Sequence, residues 1–218
     1  MTKVCIFGAG AIGGYIAACL SKTNVDLSLI ARGPHKEAIE KKGLTFIKDG
    51  KTENLKLTVT DDPKILEIQD YIFISVKAHS ISNIVNSLAS IINDQTSIIS
   101  TVNGLPWWYF HKANTGTNLD DSYLESVDPT GKIWNTIKPE QAIGCVVYPA
   151  CEIIEPGVIK HNEGEKFSLG EPDGTRSERL KKIADLLIAG GLKVPQKKNI
   201  RNETVSYTHL RAHETQLH

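Results

Sequence analysis

Six residues near the amino terminus, Gly8-Ala9-Gly10-Ala11-Ile12-Gly13, carry the spacing G-x-G-x-x-G. That spacing does chemistry only where a strand runs into it and a helix leaves it. Here "KVCIF" precedes it and "AIGGYIAACLSK" follows. Gly8 allows the tight turn, Gly10 lets backbone approach a pyrophosphate, and Gly13 lets the helix pack on the strand. The helix start then offers unpaired N–H groups and a positive dipole end to the phosphates. The second strand, "LSLIAR", delivers Arg32 where an Asp or Glu would favour a free ribose 2′-hydroxyl. A guanidinium suits a 2′-phosphate as a forked, charged donor. The expected cofactor is NADP(H), against the plainer reading of Arg32 as a solvated loop residue. Asp26 lies at the wrong end of the same strand to compete.

Two later strands end in chemically useful residues. "ISVKAHS" places Lys77 to meet an anion or a carbonyl, and "STVNGLP" places Asn103 to hold a ribose, a nicotinamide or a substrate. Each alone reads as a solvated lysine or a turn asparagine. At matching carboxyl ends of successive strands they read as a site, because ligands of open α/β sheets sit there. His79 reads as a helix-start residue. The aromatic run Trp107-Trp108-Tyr109-Phe110 reads either as a ligand wall or as burial against the sheet edge.

The elements that must position these residues alternate. Buried strands are expected at "KVCIF", "VDLSLI", "DYIFISVK" and "TSIIST", with helices at "AIGGYIAACLSK", "GPHKEAIEKKG", "SISNIVNSLASII" and "SERLKKIADLLIAGG". Gly43 and Gly190 or Gly191 serve as helix stops and Ser177 as an N-cap. "LTFIKDGKTENLKLTVT" reads as strand, turn and strand, and the region after Gly104 as a long excursion over the sheet. The segment 141–174 is strand-rich with a turn at Pro156-Gly157, and "LKVPQKKNI" reads as a last short strand and a loop. The fold class is α/β, a Rossmann-type doubly wound and mostly parallel sheet.

Composition narrows the function. Among 218 residues, Lys+Arg and Asp+Glu are both 25, which argues against a general nucleic-acid binder. Hydrophobic residues make up 40%, enough for a sizeable core. No apolar run reaches the length of a membrane span, and no leader pattern opens the chain, so a cytoplasmic protein is expected. Cys5, Cys19, Cys145 and Cys151 have neither C-x-x-C spacing nor a nearby histidine. Reduced thiols and no metal site are expected.

The segments "IFGAGAIGGYIA", "LIARGPH", "SVKAHS", "TVNGLPWWYF", "IGCVVYPACEIIEPGVIKH", "FSLGEPDG" and "NIRNE" together resemble the 2-dehydropantoate 2-reductase (ketopantoate reductase) family. The resemblance implies a dinucleotide-binding domain followed by a helical domain, with the active site between them. It implies reduction of a 2-oxo acid, 2-dehydropantoate, to pantoate with NADPH, toward pantothenate and coenzyme A. Gly8, Gly10 and Gly13, with Ala9, Ala11 and Ile12 between them, then match the pyrophosphate loop. Arg32 matches the 2′-phosphate contact and Lys77 a lysine near the cofactor. Asn103 matches an asparagine touching cofactor and substrate, and Ala150 a backbone contact near the nicotinamide.

The resemblance stops abruptly. The family pattern after the last strand runs roughly N-I-R-x-E-[IL]-W-x-K, and its lysine donates the proton to the oxyanion. Asn199, Ile200, Arg201 and Glu203 match, but Thr204, Val205 and Tyr207 do not, and no catalytic residue carries over. The expected division is a dinucleotide-binding domain over 1–198, the start of the helical domain over 199–204, and a tail over 205–218 that looks like a vector or adapter scar. A fragment lacking the helical domain, inactive as it stands, is the expectation. His209, His213 and His218 read as exposed tail residues rather than a metal set. Two alternatives stay open: a related NADP-dependent hydroxy-acid dehydrogenase, and a non-catalytic nucleotide-binding module.

Overall fold

The structure is a computed structural model that describes residues 1–214, with side-chain placement through residue 208. His218 and the side chains of His209 and His213 lie outside the described residues. In chain order the elements are β1 (Thr2–Phe7), α1 (Ala11–Leu20), β2 (Val25–Ile30), α2 (Gly33–Lys42), β3 (Leu44–Lys48), β4 (Lys51–Leu55), β5 (Thr58–Thr60), β6 (Tyr71–Ile74), α3 (Ile81–Leu88) and β7 (Ser97–Ser100). They continue with α4 (Lys132–Thr136), β8 (Ala142–Val147), β9 (Ala150–Glu155), β10 (Val158–Glu163), β11 (Phe167–Gly170), α5 (Glu178–Ala189) and α6 (Ile200–Glu214).

A seven-stranded sheet runs β11-β8-β7-β6-β1-β2-β5. Every pairing in it is parallel except β11 against β8 at one edge. Alternate side chains of β1 feed the two faces: Val4 and Ile6 join the core under α1 and α5, and Cys5 and Phe7 join the core under α3. That division follows from the period of two along a strand buried on both sides. Among the described residues no helix is long and apolar enough to cross a membrane.

The chain also builds a second sheet, ordered β4-β3-β10-β9, that the sequence reading did not separate from the first. The expected single strand over 51–60 is broken in two. β4 is polar and largely exposed, and it folds back on β3 through Asp49 and Gly50, both at positive φ (51° and 72°), the backbone of a primed hairpin turn. β5 instead joins β2 in the main sheet, where Val59 pairs with Leu29. Helix α1 packs on this second sheet as well: a Cβ on Gly14 would lie 2.6 Å from Ile159 Cγ1. The expected strand near residue 194 reduces to two isolated bridges, Lys166 with Lys193 and Leu169 with Gln196. Pro195 has no N–H to extend the ladder.

The excursion after β7 is irregular up to residue 141, apart from α4 and single turns. Trp107 and Trp108, each 2% exposed, pin it to the second core. Ser177 caps α5 by accepting the Leu180 N–H at 3.1 Å, and Gly191 takes the positive φ (96°) that follows the helix. Helix α6 runs without interruption through Thr204, which is buried, so the point where the family pattern ends is not a break in the helix.

All four cysteines are free. Burial pushes the Cys5 and Cys19 thiols up to about 12 and does the same to half-buried Cys151. It raises Cys145 as well. At pH 8 almost no thiolate forms, and thiolate is the reacting species. The native protein is therefore expected to leave Ellman's reagent nearly unreduced, with all four thiols titrating in denaturant; a fast native reaction at any of them contradicts this packing.

Candidate functional site

The carboxyl ends of four strands are laid side by side by hydrogen bonds that continue past the ladders. Ser75 N–H donates to Phe7 C=O (2.9 Å) and Thr101 N–H to Ile74 C=O (2.9 Å). The Ser75 and Thr101 hydroxyls meet at 2.7 Å. Asn103 then reaches the end of β8: its Nδ2 donates to Val147 C=O (2.7 Å) and its Oδ1 accepts the Val147 N–H (2.9 Å). Expected ligand residues Gly8, Lys77 and Asn103 thus lie along one edge, the edge where open α/β sheets bind ligands.

The glycine turn is built as its spacing predicts. Gly8 has φ 106°, and a Cβ there would lie 2.8 Å from Val76 Cγ1. A Cβ on Gly13 would lie 2.0 Å from Gly8 C=O. A Cβ on Gly10 would meet only the Ser75 carbonyl, at 4.0 Å, so that position is left open on the protein side. The first helical bond of α1 is Gly14 N–H to Gly10 C=O (2.7 Å). The amides of Ala11, Ile12 and Gly13 lie inside the first turn, which has no side-chain cap and no acidic residue of its own. That cradle fits a pyrophosphate. Gly13→Ala is expected to cost about 1–3 kcal/mol of stability by overpacking, read as a lowered melting temperature. Gly10→Ala is expected to keep the melting temperature and lose dinucleotide binding. Equal melting losses for the two variants contradict this division of labour.

A cleft of about 540 Å³ opens from this turn, lined by Gly8, Ala9, Gly10, Arg32, His35, Asp61, Ser80 and Ile153 among others. Arg32 is exposed, and among the described residues its guanidinium has no hydrogen-bond or ion-pair partner. Asp26 sits at the opposite end of β2, paired with Lys3 in register. His35 was missed by residue-by-residue reading. Its Nδ1 accepts the Gly157 N–H at 3.0 Å, which leaves the proton on Nε2 to donate to Ala9 C=O at 2.6 Å. One neutral imidazole thus ties the glycine turn to the β9–β10 hairpin, and the same second sheet sends Ile153 into the cleft wall. The signal available was a histidine three residues after Arg32, at the start of α2.

Lys77 is exposed, with no side-chain partner among the described residues, and its carbonyl accepts the Ser80 N–H at 2.8 Å. His79 lies in the turn before α3, as expected. Asn103 is exposed, yet its amide is already bound to Val147 on both sides, which leaves one N–H for a ligand. Ala150 opens β9 and pairs with Glu163. Among the described residues no group of three His, Cys, Asp or Glu gathers as a metal site.

Helix α6 docks beside β8 through Glu203. Its carboxylate accepts from Tyr148 Oη (2.6 Å) and Ser168 Oγ (3.0 Å), with Lys197 Nζ at 3.1 Å and Lys166 Nζ at 3.8 Å. Burial acts to raise its pKa, but the donors Tyr148, Lys197 and Ser168 outweigh it and hold the carboxyl below the usual range. Burial, reinforced by Glu203, pushes the Tyr148 phenol up. One turn on, the Tyr207 ring meets Tyr148 edge-on at 5.0 Å between centroids.

Comparison with known proteins places most of the chain in one family. The sequence profile of the family described as ketopantoate reductase PanE/ApbA matches residues 4–174. A 2-dehydropantoate 2-reductase of Mesorhizobium japonicum is 46% identical over 202 residues, covering 92% of this chain and 61% of that protein. A 2-dehydropantoate 2-reductase of Pyrococcus horikoshii is 38% identical over 104 residues, 47% of this chain and 33% of that protein. Among solved structures, a Ralstonia solanacearum protein assigned as a ketopantoate reductase superposes with a TM-score of 0.87 at 35% identity, over 94% of this chain and 63% of that one. D-mandelate dehydrogenase with NADH shares the fold alone, with a TM-score of 0.74 at 21% identity over 91% of this chain and 58% of that one. The chain thus spans about three-fifths of the Mesorhizobium relative, 61%.

Proposed function

The chain belongs to the ketopantoate reductase PanE/ApbA family, and from that premise we propose that it is the NADP(H)-binding part of a 2-dehydropantoate 2-reductase. In this reading residues 1–198 form the dinucleotide-binding unit, and residues 199–204 open the segment that carries the proton donor. The observation that supports NADP(H) over NAD(H) is Arg32: an exposed, unpaired guanidinium at a cleft that starts from an uncapped helix end.

When bound, NADPH supplies the hydride for the ketone carbon. The amides at the start of α1 hold the pyrophosphate, with Gly10 leaving room for it. Arg32 pairs with the 2′-phosphate. His35 keeps the Ala9 carbonyl fixed, so that the turn does not rearrange when phosphate arrives. Lys77 and the remaining Asn103 N–H face ligand oxygens at the ends of β6 and β7. Ala150 offers backbone near the nicotinamide.

Titrating the purified chain with NADPH and NADH, read by nicotinamide fluorescence, tests the reading. Tighter binding of NADPH supports it; equal or reversed affinities overturn the cofactor assignment. Tyr207 favours a second reading for the chain as it stands, a nucleotide-binding module without turnover, because a neutral phenol stands where the family pattern has a lysine.

A further inference from the structure

The Ala9 carbonyl and the Gly10 N–H belong to one peptide group. In a planar trans peptide the two point in opposite directions. Whatever holds the carbonyl therefore aims the N–H. His35 holds it, because its Nε2–H donates to the Ala9 C=O at 2.6 Å. The Gly8 and Ala9 N–H groups both turn back to the Ile30 C=O, at 3.0 and 3.1 Å. The Gly10 N–H points away from His35 instead, and among the described residues it meets no acceptor. The uncapped amides that open α1 follow directly after it in the chain.

Without the histidine this peptide has a second orientation open to it. A flip turns ψ of Ala9 and φ of Gly10, and carries Gly10 from φ −66° into the positive range. Glycine enters that range freely. The flipped peptide would present a carbonyl oxygen, not an N–H, to an arriving phosphate. Gly10 leaves room for a ligand, and for the same reason the turn needs a lock. The lock works only if the imidazole proton is on Nε2, and the partner of the other ring nitrogen decides that. The partner is Gly157, whose N–H donates to His35 Nδ1 at 3.0 Å. Gly157 is itself held from two sides. Its C=O accepts the Thr45 N–H at 2.8 Å. At φ 82° it also lies so near α2 that a Cβ would sit 2.9 Å from Ala38 Cβ. The second sheet sets the tautomer, and the tautomer sets the glycine turn.

We propose that His35 is a positioning residue for phosphate binding. Clasped by Gly157 in its Nε2–H form, it fixes the Ala9–Gly10 peptide so that the Gly10 N–H adds one donor to the amides at the start of α1. That the phosphate is the pyrophosphate of a dinucleotide rests on the reading above; the clasp and the free N–H do not.

Uniformly ¹⁵N-labelled chain tests the proposal by two-dimensional NMR. His35→Phe keeps a ring and loses both hydrogen bonds, and it identifies the His35 imidazole among the seven histidines by deleting it. That imidazole is expected in the Nε2–H form. The Gly10 amide signal is expected to move saturably with NADPH and with millimolar inorganic pyrophosphate. NADPH and NADH both carry the pyrophosphate, so His35→Phe is expected to bind each about tenfold more weakly, the scale of one hydrogen bond to a charged group. Adenosine 2′-monophosphate has no pyrophosphate, and its affinity is expected to stay within about twofold of wild type. A generally loosened cleft would weaken all three, since α2 starts directly after Arg32. An Nδ1–H imidazole overturns the proposal, as does NADPH binding that leaves the Gly10 signal still. Unchanged NADPH affinity in His35→Phe, or an equal loss for all three nucleotides, also overturns it. Should His35→Phe fail to fold, the wild-type Gly10 titration decides alone. A Gly10 signal that moves with pyrophosphate while neither dinucleotide binds sinks the cofactor reading and leaves the clasp standing.

Discussion

Replacing Arg32 with alanine is expected to weaken NADPH binding about 10- to 100-fold and to leave NADH binding nearly unchanged. The magnitude is that of a charge-assisted hydrogen-bond pair lost at a partly exposed site. The geometry leaves little to substitute for it. Lys36, on the helix that follows Arg32, is paired with Glu40 at 3.1 Å, whereas the Arg32 guanidinium has no partner among the described residues. Asp61 lines the same cleft and is the one feature that argues the other way, since a carboxylate there could accept from a free ribose hydroxyl. Asp61→Asn separates the two. If Arg32 reads the phosphate, removing the Asp61 charge raises NADPH affinity or leaves it alone. If Asp61 reads the ribose, the same change weakens NADH. The Arg32 contribution should also shrink as salt rises, because exposed charges are screened. An Arg32→Ala variant that keeps its NADPH preference removes the basis for assigning this cofactor.

The parts of this site that were legible in the sequence are those set by local rules. Gly8 and Gly13 announce themselves because a Cβ would clash at φ 106° against Val76 in the one case and at 2.0 Å from a carbonyl in the other. The strand ends at Lys77 and Asn103 follow from runs of buried residues that stop at polar ones. The groups that stayed hidden depend on long-range pairing. β3 pairs with β10 across more than a hundred residues, and only that pairing brings Gly157 to His35 and Ile153 to the cleft. The Asn103 clasp on Val147 was hidden for the same reason, since an Asn-Gly pair reads locally as a turn. Lys56 and Leu57, where one expected strand divides between two sheets, carry no local breaker such as Gly or Pro.

The chain is expected to bind NADPH yet reduce 2-dehydropantoate about 10²–10⁴-fold more slowly than a relative with lysine at the position of Tyr207, the usual worth of general-acid help. The oxyanion formed as hydride reaches the ketone needs a proton and a positive charge close by. A phenol brings no charge. The position itself is well placed: Glu203 anchors the first turn of α6 to Tyr148, Ser168 and Lys197, and residue 207 projects onto Tyr148 at the end of β8. Tyr207→Lys is therefore expected to raise NADPH oxidation at saturating acid at least about tenfold over wild type, consistent with a partial return of acid catalysis. Tyr207→Phe is expected to match wild type. Lys166 supplies the control, because its ammonium lies 3.4 Å from the Tyr148 ring centroid on the same edge. Wild-type turnover at a relative's rate that disappears in Lys166→Met would move the proton donor from α6 to the β11 edge. Turnover that survives both Lys166→Met and Tyr207→Phe would show that neither position supplies the proton. A Tyr207→Lys rate indistinguishable from Tyr207→Phe would mean that a charge at this turn of α6 does not reach the oxyanion.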